Sequence, residues 1–201
     1  ELLKVCQEQG LSISAVMLQR ELTEGEQDPE ETDRKMDRVL EIMKSAASTP
    51  IHTPVKSMGG LIGGEAKKIS DHKDTGKGLC GDLLERAVIY AMATLETNAS
   101  MGVIVASPTA GSAGIVPGLL LALQETYDLS DEQIKQGLYN ASAIGYLAMR
   151  NATVAGAVGG CQAEVGIASA MAASATVELM GGSPEQSLAA ASTVLMNKIG
   201  R

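Results

Sequence analysis

Three short segments of this 201-residue chain combine side-chain types and spacing that chemistry could use. The first is Ser107-Pro108-Thr109-Ala110-Gly111-Ser112-Ala113-Gly114, directly before an apolar run of helical character. Glycines and small side chains let backbone N–H groups approach a ligand, and a helix N-terminus adds positive partial charge. Such a loop suits a carboxylate, with close approach at Gly111 and Gly114 and further hydrogen bonds from the Thr109 and Ser112 hydroxyls. The same spacing serves equally well for a tight turn in which glycine avoids a clash between helices. Nucleotide loops do not fit. The Gly-Lys-Ser/Thr of a Walker A loop is missing, and Gly111 and Gly114 lack the third glycine of a dinucleotide fingerprint.

The second segment is Gly159-Gly160-Cys161-Gln162-Ala163-Glu164. A cysteine at a helix start has its thiolate favoured, and two preceding glycines leave room for a bulky group. One cysteine is not a metal site, since iron–sulfur clusters want several thiolates; the plain alternative is an ordinary cysteine at a helix start. Cys6 lies on an apolar helix face and reads as core. The third segment is Glu96-Thr97-Asn98-Ala99-Ser100-Met101-Gly102, a polar end to an apolar helix, which either reaches a ligand or caps the helix. His52 and His72 read as exposed loop histidines. Lys56 with Gly59 to Gly64 could act as the Schiff-base lysine and phosphate loop of a pyridoxal-phosphate enzyme. That chemistry usually sits on alternating strands and helices, and the pattern shows no such alternation.

The elements that must position these segments are helical. Leu2, Leu3, Val5 and Cys6 open a short helix ending near Gly10, and Ile13, Val16 and Met17 continue on a second up to about Leu22. A third spans residues 30–47, with Met36, Val39, Leu40 and Met43 at helical spacing. Residues 49–77 read as a long connection with one helical turn after Gly64, long enough to be functional. Asp82 and Glu85 give a capping-box-like start to a helix reaching about Asn98. A loop over 101–114 leads to a helix from about Ile115 to Thr126, with Pro117 tolerated in its first turn. Ser130 with Gln133 caps the next, to about Ala148. Cys161 or its neighbours start another that ends at Gly181-Gly182. Ser183-Pro184-Glu185-Gln186 starts the last, which reaches about Lys198. Residues 103–106 are the one plausible strand. The predicted fold is all-α: a compact multi-helix domain rich in Ala and Gly, with N-terminal helices over 1–48 and a catalytic-type region over 49–201 forming one unit.

Composition narrows the function classes. The chain has no Phe and no Trp, but 22 Gly and 10 Met, so its core comes from aliphatic side chains and closely packed helices. It lacks the aromatic platforms of a nucleic-acid surface, and a formal net charge of −8 repels phosphate backbones. Much of the acid falls over residues 21–31, a solvated turn between helices. Three widely spaced cysteines are not a disulfide framework and suit a reduced, cytoplasmic protein. Glu1 reads as the start of a helix, so a signal peptide is not expected. The longest charge-free stretch, 97–124, is broken by Pro108, Pro117 and several glycines and is not a membrane span.

Taken together and in order, the three segments resemble the alpha chain of the bacterial iron–sulfur-dependent L-serine dehydratases. Leu61-Ile62-Gly63-Gly64-Glu65 and Gly181-Gly182-Ser183-Pro184-Glu185 add weaker matches, so the resemblance covers nearly the whole chain. It implies deamination of L-serine to pyruvate and ammonia through an aminoacrylate, and a [4Fe-4S] cluster held by three cysteines, with one iron as Lewis acid and no PLP. It also implies a separate beta chain within a homo- or hetero-oligomer. On this resemblance Cys161 is one of three cluster ligands, with Gln162 and Glu164 beside it and the other two ligands beyond Arg201. Cys80 stands where the family has a small residue such as Ser. The chain as it stands is therefore expected to be a cluster-free part of a longer protein. Asn98, Thr109, Gly111, Ser112 and Gly114 would hold the substrate. Hydroxide is a poor leaving group, so a cation on the hydroxyl oxygen and a base for the α-proton are both needed. No residue here stands out as that base, and the partner chain is one place for it. The alternative is a non-catalytic helical docking subunit in which Cys161 is a structural or redox-sensing thiol.

Overall fold

Helix ends are where the chain writes its structure most locally. Gly10, at φ 65°, closes the first helix, and its N–H donates to the Cys6 carbonyl. Ser130 and Gln133 form a reciprocal capping box: Ser130 N–H donates to Gln133 Oε1 at 2.9 Å, and Gln133 N–H donates to Ser130 Oγ at 3.2 Å. Ser183 and Gln186 repeat it at 2.8 and 3.3 Å. Replacing Ser130 by alanine should cost about 1 kcal/mol in urea unfolding, since it orphans one helix-start donor.

The computed structural model describes residues 1–25 and 28–198. Glu26 and Gln27 of the acidic stretch lie outside them. Among the described residues the helices are α1 (Leu2–Gln9), α2 (Ile13–Glu24), α3 (Pro29–His52), α4 (Glu65–Asp74), α5 (Asp82–Ala99), α6 (Ile115–Tyr127), α7 (Asp131–Asn151), α8 (Gly156–Leu179) and α9 (Pro184–Lys198). Residues 103–106 adopt no regular element, and the fold is all-α as expected.

Four local expectations need correction. The third helix runs past Ala47 to His52 and carries Pro50 inside it. Pro50 has no N–H, so the buried Ala46 carbonyl lacks its i+4 donor. Thr97 Oγ1 donates to that carbonyl at 2.9 Å and makes the longer helix tolerable. Thr97→Val should therefore cost about 1–2 kcal/mol in urea unfolding, by leaving a buried acceptor unpaired. The single turn after Gly64 is a ten-residue helix, so His52 and His72 are exposed but helical. Asp82 and Glu85 do not form a capping box. The N-cap is Gly81 with no side-chain cap bond, and Asp82 instead pairs with Arg86 at 2.7 Å and Lys73 at 2.6 Å. Finally, α8 begins at Gly156, and a break at Gly160 (φ 72°, ψ −177°) separates its first turn from the run that opens at Cys161.

The chain forms two compact units, with the boundary inside α3. The first comprises Glu1–Arg38 and the described residues from Ser130 onward. In it α7 packs on α2 and α8, and α9 packs on α8. Cys6, Ile13, Met17, Tyr139 and Ala143 form a core cluster. Burial pushes the Cys6 thiol up, with Glu178 and Glu185 adding to the effect. Asn140 is fully buried; it donates to Glu178 Oε2 at 2.6 Å and accepts from Ser174 Oγ at 2.6 Å. Lys135 is 3% exposed. Burial opposes its charge, but Asp33, Asp37 and Glu132, all within 2.8 Å, hold the ammonium protonated well above its ordinary range.

The second unit, Val39–Leu129, packs α5 against α4 and α6. A Cβ at Gly114 would sit 2.6 Å from the Ala91 carbonyl oxygen, and one at Gly118 would sit 2.9 Å from that of Ala87. The α5 and α6 backbones are thus in direct contact. No helix among the described residues is long and apolar enough to cross a membrane.

Candidate functional site

The end of α5 and the start of α6 converge in the second unit. After Ala99 the chain turns sharply: Ser100 N–H donates to the Glu96 carbonyl at 3.0 Å, Met101 takes φ 65°, and Gly102 N–H returns to the Thr97 carbonyl at 2.8 Å. A Cβ at Gly102 would lie 2.6 Å from Thr97 Cγ2, so the turn needs glycine there. The chain then passes the cis Ser107–Pro108 bond and a series of tight turns into α6.

Asn98 Nδ2 donates to the Ala110 carbonyl at 3.1 Å and ties α5 to the loop. Thr109 Oγ1 and Ser112 Oγ share a hydrogen bond at 3.1 Å. Ser112 is 1% exposed and also reaches the Ser107 carbonyl at 3.4 Å. Asn98, Thr109, Gly111, Ser112 and Gly114 are therefore brought together, with different tasks. Ser112 and Gly114 are buried; Ser112 ties the loop to itself, and Gly114 seats it on α5 against Ala91. Asn98 and Thr109 are half-buried and Gly111 is exposed, so these three are the ones a small ligand can reach.

Glu96 is the residue whose task the sequence does not disclose. It is 2% exposed, and its carboxylate accepts from Gly64 N–H at 3.0 Å and Ala66 N–H at 2.8 Å. A carboxylate of α5 thus caps α4 and satisfies orphan donors at its start. Glu65 accepts from Gly63 N–H at 2.6 Å, a bond that holds its carboxyl below the ordinary range. The segments around Gly63 and Glu96 therefore form one assembly, joined also by Met58 N–H donating to the Ala99 carbonyl at 3.3 Å. The available signal was an acid at helical spacing from Ala93 on a buried face.

Cys161 lies in the first unit, exposed, at the start of the helical run that follows Gly160. A Cβ at Gly156 would meet Glu164 Oε2 at 2.3 Å, so the Glu164 carboxylate rests on the first turn of α8. Gln162 is half-buried beside Cys161. Cys80 is exposed in the second unit and Cys6 is in the core. Among the described residues no group of three or more His, Cys, Asp or Glu could hold a metal ion. A cluster needs several thiolates. These residues offer one at a helix start and do not complete a cluster site.

Comparison with known proteins matches residues 8–200 to the family described as "Serine dehydratase alpha chain". The "Probable L-serine dehydratase, alpha chain" of Bacillus subtilis (strain 168) is 44% identical over 200 residues, covering all of this chain and 66% of that protein. The "L-serine dehydratase, alpha chain" of Peptoniphilus asaccharolyticus is 42% identical over 200 residues, covering all of this chain and 68% of that protein. "L-serine dehydratase 1" of Escherichia coli (strain K12) is 34% identical, with 45% of its length covered. The chain thus spans about two thirds of the alpha-chain relatives and less than half of the longer one. With a match over almost its whole length, this chain belongs to the serine dehydratase alpha chain family.

Proposed function

We propose that the protein containing this chain is an L-serine dehydratase that converts L-serine to pyruvate and ammonia, with this chain as part of its alpha subunit. The family match over residues 8–200 carries that reading. In it the loop over 107–114 receives the serine carboxylate. Thr109 and Gly111 face the substrate, Asn98 holds the loop through Ala110, Ser112 braces the loop internally and Gly114 keeps it seated on α5. Cys161 is one thiolate ligand of a [4Fe-4S] cluster, with Gln162 and Glu164 shaping its surroundings. The remaining thiolates come from outside the described residues. When bound, the cluster supplies a Lewis acid for the departing hydroxide. The reaction uses a separate beta chain and no PLP. Three free cysteines support a reducing, cytoplasmic setting.

The test uses the complete natural chain with its beta partner, purified without oxygen. Iron, sulfide and pyruvate formation from L-serine are expected together, and Cys161→Ala should bring iron and sulfide to background. Thr109→Ala should raise the KM for serine about tenfold or more while leaving iron content unchanged, as expected for one lost hydrogen bond to a charged group. A complete chain that stays colourless and inert after anaerobic cluster reconstitution would leave the docking subunit as the better account.

A further inference from the structure

The first unit encloses a partly open cavity of about 400 Å³ between α1, α2 and α7, which the serine reading does not use. Its apolar wall includes Leu2, Val5, Val16, Met17 and Leu147. Its polar side is built around Tyr146. The Tyr146 hydroxyl accepts from Arg20 Nη2 at 3.0 Å and from Arg150 Nη1 at 3.1 Å. Two incoming donors use both lone pairs of a phenol oxygen, so its own proton is left to donate outward. No acceptor among the described residues takes that proton.

The two arginines are not equivalent. Arg20 lies flat on the Tyr146 ring, 4.0 Å from its centroid, and pairs with Glu24 at 2.9 Å. It is held and largely neutralised. Arg150 has no carboxylate within ion-pair distance among the described residues, Glu1 and Glu24 acting on it only from further away, and the tyrosine occupies only part of its fork of donors. A phenol proton and a guanidinium with donors to spare therefore border one cavity that also has an apolar wall. Together they suit an anionic oxygen attached to a hydrocarbon body. Glu1 and Glu24 line the same cavity and oppose a dianion, which disfavours phosphate esters and favours a single negative charge.

We infer that this cavity binds a small aliphatic monocarboxylate, with its carboxylate on Arg150 and the Tyr146 hydroxyl and its alkyl body on the Leu2–Met17–Leu147 wall. The complete natural chain would be titrated by calorimetry with hexanoate, with 1-hexanol (the same body without the charge) and with acetate (the charge without the body). Hexanoate should bind saturably, and the other two about tenfold more weakly or worse, because each lacks one half of the recognition. Arg150→Gln should weaken hexanoate about tenfold or more with an unchanged unfolding midpoint. Tyr146→Phe should weaken it too, and supplies the test if Arg150→Gln does not fold. Hexanol binding as tightly as hexanoate would overturn the inference. So would a folded Arg150→Gln chain that binds like the parent, or no saturable heat up to about 10 mM hexanoate. Neither iron nor serine turnover enters the readout, so this test stands or falls apart from the serine reading.

Discussion

Replacing Glu96 by alanine should destabilise the second unit by about 3 kcal/mol or more, because two buried backbone donors would lose a charged acceptor at once. Gly64 and Ala66 are both buried, and both N–H groups point at this carboxylate at 3.0 and 2.8 Å. The α4 helix would also lose the negative charge that complements its N-terminal dipole. Glu96→Gln keeps one acceptor oxygen but turns an NH2 toward the other donor, so it should recover part of the loss and not all of it. Urea unfolding measures the energy, and hydrogen exchange places it: amides of α4 should exchange faster in Glu96→Ala while those of α7 do not change. A loss under about 0.5 kcal/mol would mean that these bonds carry no weight.

The neighbouring carboxyls give the unit an acid dependence whose sign is fixed. Glu65 is held below its ordinary range by the Gly63 N–H, and Asp82 by Arg86 and then Lys73. A carboxyl lowered in the folded state contributes stability at pH above its unfolded value, near 4, and loses it as pH falls through the folded value. Stability should therefore decline below about pH 4, and Glu65→Gln with Asp82→Asn should flatten that decline. Unfolding midpoints taken across that range in parent and double variant give the comparison.

The second large effect is expected at Gly114. A methyl group there would stand 2.6 Å from the Ala91 carbonyl oxygen and 3.2 Å from its Cα, all backbone atoms that cannot swing aside. Gly114→Ala must push α5 and α6 apart, at a cost of about 3 kcal/mol, the upper end of what overpacking usually costs. The displacement also moves the 107–114 loop off its seat, so on the proposed function serine affinity should fall with stability. Gly10→Ala is the control. Gly10 has φ 65° but nothing within 4 Å of its Cβ position, so it should show backbone strain alone, about 1 kcal/mol. If both substitutions cost the same in urea unfolding, close backbone contact is not what Gly114 provides.

What could be read from residue order follows one rule. The capping boxes at Ser130 and Ser183, the glycine stop at Gly10 and the helical run opening at Cys161 each depend on groups within four residues of one another. The all-α architecture was legible for the same reason, since helical periodicity is local. The loop over 107–114 was visible as small residues ahead of a helix. Whether those glycines serve a ligand or a close helix contact was not visible, and at Gly114 the packing against Ala91 shows the contact.

The errors share the opposite property. The full length of α4 rests on a carboxylate 30 residues from Ala66. The continuation of α3 through Pro50 rests on a hydroxyl 51 residues from Ala46. Asp82 and Glu85 have the spacing of a capping box, yet Arg86 and Lys73 draw Asp82 away. The convergence of Tyr146, Arg20 and Arg150 likewise spans 126 residues between Arg20 and Tyr146. Residue order by itself determined the helical class, most of its punctuation and the short segments with chemical potential. Only the tertiary structure decided which distant group satisfies each buried donor and acceptor, because that satisfaction exists only once the chain has brought the two together.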